Sequence, residues 1–181
     1  MVKPITPKIS FNDKKLTITT LQTVLYTSPL GILRLRATAT HVTEILFRDS
    51  TEPQDRVGAN AVLTDCIAEL VAYFAGDLRL FTAPLAPEGT AFQQQIWDEL
   101  QCVTYGATST YGSLANGINN PKSVRAVGAA NGANPIAILI PCHRIIGANG
   151  NLTGYAGGLH RKEWLLAHEA RHAPELALRL F

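Results

Sequence analysis

The 181-residue chain reads as a mixed α/β (α+β) protein. A small antiparallel sheet with one helix comes first. A mostly helical second half with a helix-turn-helix follows. Three observations predict this. Residues 20–49 are rich in Thr, Val, Ile and Leu and are broken by the turn signal SPLG. Beyond residue 60, apolar residues recur at helical spacing in successive segments. Between them TAPLAPEG, at 82–89, carries two prolines and a glycine and reads as a linker. The expected domains are therefore 1–86 and 87–181.

Each element has its own signal. Leu33, Leu35 and Ala37 alternate with Arg34 and Arg36, which predicts one buried and one wet face. Residues 42–48 then give a third strand of a meander. Over 60–75, Leu63, Ile67, Leu70, Val71 and Phe74 fall at helical spacing, and Gly76 stands where a C-terminal cap belongs. Cys66 lies on or beside that face and reads as core. Thr90 and Gln93 have capping-box spacing, with Phe92, Ile96, Trp97 and Leu100 as one stripe behind them.

Thr110 can cap a helix through Tyr111, Leu114, Ala115 and Ile118. After the turn NGINN, Asn120 caps a second helix whose first residue is Pro121. This helix-turn-helix continues as AVGAANGAN after Lys122 and Arg125. Its small residues admit close approach of another helix or of a nucleic-acid groove, and the two cations favour the groove. Asn149-Gly150 predicts a type I′ hairpin. GYAGG at 154–158 fits no Walker or G-x-G-x-x-G phosphate pattern. A last helix, 160–172, would turn Trp164, Leu165 and His168 inward.

Composition narrows the class. With 46% hydrophobic and 17% charged residues the chain can fill a core, and disorder is not expected. A net charge of +2 is too mild to indicate nucleic-acid binding by itself, though a local patch remains compatible. The three cysteines form no CxxC pair, which fits a reducing compartment and offers no zinc tetrahedron. Residues 1–15 hold no apolar core for a signal peptide, and no stretch approaches the ~20 apolar residues of a membrane helix. The expected location is cytoplasmic, with no membrane partner.

The chemistry concentrates in ILIPCHRIIG, residues 138–147. A buried-looking run ends in Cys142 and His143. A thiol is mostly protonated at neutral pH, and a histidine backed by a carboxylate can take its proton. On an extended backbone neighbouring side chains point apart, so His143 serves Cys142 only if the chain turns there or a water relays the proton. Glu169 and Glu163 are both candidates for the carboxylate. An inert core cysteine beside a surface histidine is the competing reading.

ILIPCHRIIG, preceded by ANGANP and followed by LTGYAGGLHRKEWLLAHE, resembles the O6-alkylguanine-DNA alkyltransferases. The likeness continues upstream through FQQQIWDEL, STYGSLA and NPKSVRAVGAAN, and so covers residues 90–171 almost continuously. It implies that Cys142 accepts an alkyl group from O6 of a damaged guanine in double-stranded DNA. His143 would deprotonate it through a water, with Glu169 orienting the histidine. Asn134 would brace the turn before the active site. Tyr111 would donate to the flipped base and Lys162 would support that donation.

The resemblance further implies that the carbonyls of Cys142 and Ile145 and the amide of Ala156 meet the guanine edge, with Tyr155 lining the pocket. Arg125 would fill the space left by the extruded base. Lys122 and the small residues Ala126, Gly128, Ala129 and Asn131 would lie on the minor groove. The thioether product makes the protein act once and without cofactor; no metal is carried over, and a monomer is expected. Two rival readings are a non-catalytic lesion sensor and a Cys-His-Glu hydrolase.

Overall fold

Strands β1 (Gln22–Ser28), β2 (Gly31–Ala37) and β3 (Val42–Arg48) form the expected antiparallel meander in the order β1-β2-β3. The computed structural model describes residues 21–50 and 58–173. The stretch 1–15 read for a leader, and the outer ends of both expected domains, lie outside them. Gly31 takes the positive φ (104°) that the SPLG turn requires.

The alternation in β2 holds for Leu33, Leu35 and Ala37, which are wholly buried. Arg34 departs from it. The Arg36 side chain stays 33% exposed, while the predicted wet face is covered at Arg34, which is only 8% exposed. Its burial is compensated by Glu44 on β3, which accepts from Arg34 Nε at 2.8 Å and Nη2 at 2.7 Å.

Helix α1 (Ala61–Ala75) begins at Asn60, whose side chain accepts from Leu63 N, and stops at Gly76 with φ 87°. Its inward face is Leu63, Cys66, Leu70 and Tyr73. Val71, expected inside, is 51% exposed. It lies about 100° round the helix from Leu70, and the core selects the Leu70 side. Tyr73 takes the buried place.

The 82–89 segment is not a free tether. Val42 N donates to Pro84 O (2.8 Å) and Ala86 N to Val42 O (2.9 Å), so it runs parallel along β3. Farther along, Ile45 N donates to Pro135 O and Ala137 N to Ile45 O, both at 2.9 Å. The segment leading to Cys142 is thereby tied to the N-terminal sheet.

Helix α2 (Ala91–Gln101) starts with the predicted Thr90–Gln93 capping box. Trp97 is buried, and its indole N–H donates to Ala130 O at 2.9 Å. Helix α3 (Tyr111–Gly117) is capped by Thr110. Asn120 makes no side-chain cap, and Pro121–Ser123 form a 3-10 turn before α4 (Val124–Gly132) begins. The helix-turn-helix is therefore present with a tighter entry to its second helix than expected.

Short strands β4 (Ser109–Thr110) and β5 (Ile145–Ile146) pair in parallel. No type I′ hairpin forms at Asn149-Gly150. That turn needs positive φ at both residues, and only Gly150 has it. Asn149 instead accepts from Asn151 N through its own side chain. Helix α5 (Leu159–His172) buries Lys162, Leu165, His168 and Glu169. Trp164 stacks on His168 with ring centroids 4.9 Å apart. Among the described residues no helix is long and apolar enough to cross a membrane.

Candidate active site

The run before Cys142 is folded by turns. Leu139 N donates to Ala137 O at 2.9 Å, closing a γ-turn around Ile138, whose φ is 74°. A β-branched residue at positive φ is costly, by about 1–3 kcal/mol. Asn134 holds the neighbourhood in place. Its amide donates to Ile140 O (2.8 Å) and its oxygen accepts from Ile136 N (3.0 Å). A second γ-turn follows at Pro141 (φ −83°, ψ 60°), closed by Cys142 N to Ile140 O at 2.8 Å. Residues 142–144 then form a 3-10 turn.

That turn answers the question of adjacency. With about three residues per turn, neighbouring side chains stand about 120° apart and need not oppose one another. Cys142 is 6% exposed, and its Sγ accepts from Asn134 Nδ2 at 3.1 Å. His143 is wholly buried, with Nε2 2.9 Å from Glu169 Oε1. Glu163 is exposed, so Glu169 is the carboxylate partner.

Glu169 gathers more than His143. Arg144 Nε donates to Oε2 (2.9 Å) and Nη2 to Oε1 (3.0 Å). Tyr73 OH donates to Oε1 at 2.9 Å and Gly106 N to Oε2 at 3.1 Å. Burial alone would raise this carboxyl. The bonds and charge of His143, then Arg144, outweigh it and hold the group well below the usual carboxylate range. Glu169 is therefore ionised and accepts only, which makes His143 Nε2 the proton-bearing nitrogen. Nδ1 is left as the basic atom, and among the described residues no side chain or backbone group pairs with it.

Burial, opposed by Glu169, keeps the His143 pKa below its ordinary value, so the ring is neutral at pH 7. Burial also pushes the Cys142 thiol up. Asn134, then the Lys162 charge and backbone N–H groups, pull the other way. The thiol rests protonated beside a neutral base.

Lys162 is wholly buried and spends its donors on carbonyls: Ile145 O (2.5 Å), Thr153 O (2.7 Å) and Gly154 O (3.4 Å). Tyr111 OH donates to the same Thr153 carbonyl at 3.2 Å. The Tyr111 ring lies 3.8 Å from where a Cβ on Gly128 of α4 would stand, and its hydroxyl 3.8 Å from where one on Gly154 of the 154–158 loop would.

A cavity of about 230 Å³ opens at the thiol. Its walls include Asn134, Cys142, Tyr155 and Ala156, with Leu46 and Phe47 from β3. Ile145, expected at the base, does not line it. Ile145 is buried in the β4–β5 pair, with its carbonyl on Lys162. Lys122, Arg125, Ala126 and Ala129 are exposed, and Gly128 is half-buried. Asn131 does not share their surface. It is 2% exposed, and its amide faces Cys142 O at 3.5 Å.

Arg144 and Tyr73 were not predicted as site residues. Arg144 stood in the quoted PCHR run, so its sequence position was the available signal. Tyr73 lies 96 residues from Glu169, and nothing local marks it.

A buried thiol, a neutral histidine and an ionised carboxylate, in the half of the chain that carries a helix-turn-helix, form the constellation expected of a cysteine-dependent DNA-binding class of protein. Residues 91–171 match the DNA binding domain of 6-O-methylguanine DNA methyltransferase, and residues 21–87 match that family's ribonuclease-like domain. The chain belongs to the 6-O-methylguanine DNA methyltransferase family. It is 46% identical over 150 residues to the methylated-DNA–protein-cysteine methyltransferase of Mycolicibacterium paratuberculosis, covering 81% of this chain and 91% of that one. The same identity holds over 149 residues with the Methanosarcina acetivorans protein of that name, covering 80% and 96%. The fold is similar to Mycobacterium tuberculosis O6-methylguanine methyltransferase, with TM-score 0.78, 41% identity and coverage of 86% and 96%. It is also similar to M. tuberculosis OGT in complex with DNA, with TM-score 0.77, 41% identity and coverage of 83% and 93%.

Proposed function

We propose that this protein repairs alkylated DNA directly, moving the alkyl group from O6 of guanine onto its own Cys142. One observation carries the assignment of the acceptor. The Cys142 sulfur lies at the cavity, hydrogen-bonded by Asn134, with a neutral histidine beside it whose far nitrogen is fixed by an ionised glutamate.

The step balances without a cofactor. His143 Nδ1 takes the thiol proton through a bridging water. The sulfur forms a bond to the alkyl carbon as the carbon–O6 bond breaks, and the electron pair leaves with guanine. Tyr111 supplies a proton to the departing base, supported by Lys162, and the proton held on His143 restores the tyrosine. A donor there lowers the barrier to an anionic leaving group. The thioether is not readily hydrolysed, so each molecule acts once.

The target atom is inaccessible in a stacked duplex, so the base must be extruded. Arg125 enters the vacated space from the minor groove, while Lys122, Ala126, Gly128 and Ala129 follow the backbone. Tyr155 and the Ala156 amide contact the extruded base. In this reading the protein is a cytoplasmic monomer of two domains, 1–86 and 87–181.

Intact-mass measurement followed by peptide mapping, after incubation with O6-methylguanine DNA, tests the reading. One added methyl on the peptide carrying Cys142 is expected. A methyl on Cys66 or Cys102, or no stable adduct, overturns it. A lesion sensor or a hydrolase would leave none.

A further inference from the structure

Part of the cavity wall comes from the other half of the chain. Leu46 and Phe47 on β3 line it together with Cys142, Tyr155 and Gly157. Phe47 is tightly placed. A Cβ built on Gly157 would lie 2.7 Å from Phe47 Cδ2, so the loop rests directly on the ring. The Phe47 and Tyr155 rings meet edge-on with centroids 6.5 Å apart. The Arg161 guanidinium covers the ring at 4.7 Å.

Arg161 fixes both sides of this contact. It donates to Gly157 O (2.9 Å) on the active-site loop, and to Leu30 O (3.0 Å) and Asp49 Oδ1 (3.0 Å) at the ends of the sheet strands. The ring is therefore held between a cation anchored on the sheet and a loop anchored on the same cation. Phe47 carries no group that can move a proton, so it acts through shape. The cavity of about 230 Å³ exceeds the ~150 Å³ apolar void that accepts benzene in another protein core. Where the aromatic wall stands decides how that space is used.

We infer that Phe47 determines specificity for the alkyl group, its ring limiting the bulk that can lie beside Cys142, and that Arg161 is the positioning residue for that ring. This rests on the reading of Cys142 as the acceptor. The N-terminal sheet then selects substrate as well as supporting the fold.

The test compares single-turnover rates of Cys142 modification by O6-methylguanine and O6-benzylguanine oligonucleotides, in wild type and in Phe47→Ala, Phe47→Leu and Phe47→Trp. Removing the ring should raise the benzyl-to-methyl ratio by about tenfold, the scale of pocket discrimination by apolar bulk. Leu should give a smaller rise, and Trp should lower the ratio. Arg161→Ala should shift it as Phe47→Ala does, with Arg161→Lys restoring most of the wild-type value. Thermal unfolding identifies any variant that fails to fold, and Leu and Trp carry the test if Ala does. A ratio unmoved across the folded variants, or both rates scaled alike, overturns the role of Phe47. Absence of any Cys142 adduct in the wild type would overturn the underlying reading instead.

Discussion

Asn134 donates its side-chain amide to the sulfur of Cys142 at 3.1 Å while the same amide holds Ile140 O at 2.8 Å. The Cys142 thiol and the strained turn before it therefore share one bracket. Asn134→Ala should cost about 1–3 kcal/mol in urea unfolding, because it leaves buried backbone groups unpaired. It should also raise the thiol pKa further, since it deletes the hydrogen bond that most opposes burial. Transfer should slow at neutral pH and recover in part on the alkaline side. Unchanged stability and an unchanged pH–rate profile would remove Asn134 from both roles.

Acid should weaken the fold through His143 and Glu169 together. Both have depressed values in the folded protein. A group of this kind contributes stability that is full above its unfolded value and lost as pH falls through the folded one. The loss should start below about pH 6.5 for His143 and grow below about pH 4.3 for Glu169. Glu169→Gln should flatten the lower limb and cost about 3–5 kcal/mol at pH 7, because Arg144 loses its buried partner. Urea titrations at several pH values measure both. A rise in wild-type stability on acidification would contradict the sign.

Arg125→Ala should slow repair in duplex DNA more than transfer from free O6-benzylguanine. Extrusion costs a few kcal/mol in a duplex and nothing for a free base. Arg125 is exposed on α4 and is not among the cavity's lining residues. Equal slowing on both substrates would place its action in the pocket.

Alkylation should lower the melting temperature. Turning the thiol into a thioether removes its proton from the route to His143, and a bulky added group must lie against the Phe47 and Tyr155 walls of the cavity and beside the Asn134 amide that holds the sulfur. Overpacking typically costs about 1–3 kcal/mol, a sizeable part of a total near 5–15 kcal/mol. A benzyl adduct should melt lower than a methyl one. Thermal unfolding of both forms without DNA decides this, and an unchanged or higher midpoint would defeat the packing argument.

The features legible in the sequence are those fixed within a few residues. The Thr90–Gln93 box, the Thr110 cap and the Gly76 stop are hydrogen bonds and backbone preferences between near neighbours, so residue identity and spacing suffice. The Cys142-His143 pair was legible as chemistry for the same reason, and its long motif carried the family. Spacing could not show that the backbone turns twice just before the pair, because the γ-turn at Ile138 opposes local preference and survives on Asn134 and the β3 contacts. Nor could it show Arg34 buried, Val71 outside, Asn131 turned inward, or Tyr73 and Arg144 on Glu169. Burying a charge or a polar group depends on which distant partner compensates it. Only the folded chain brings residues 73, 106, 143 and 144 around the Glu169 carboxylate.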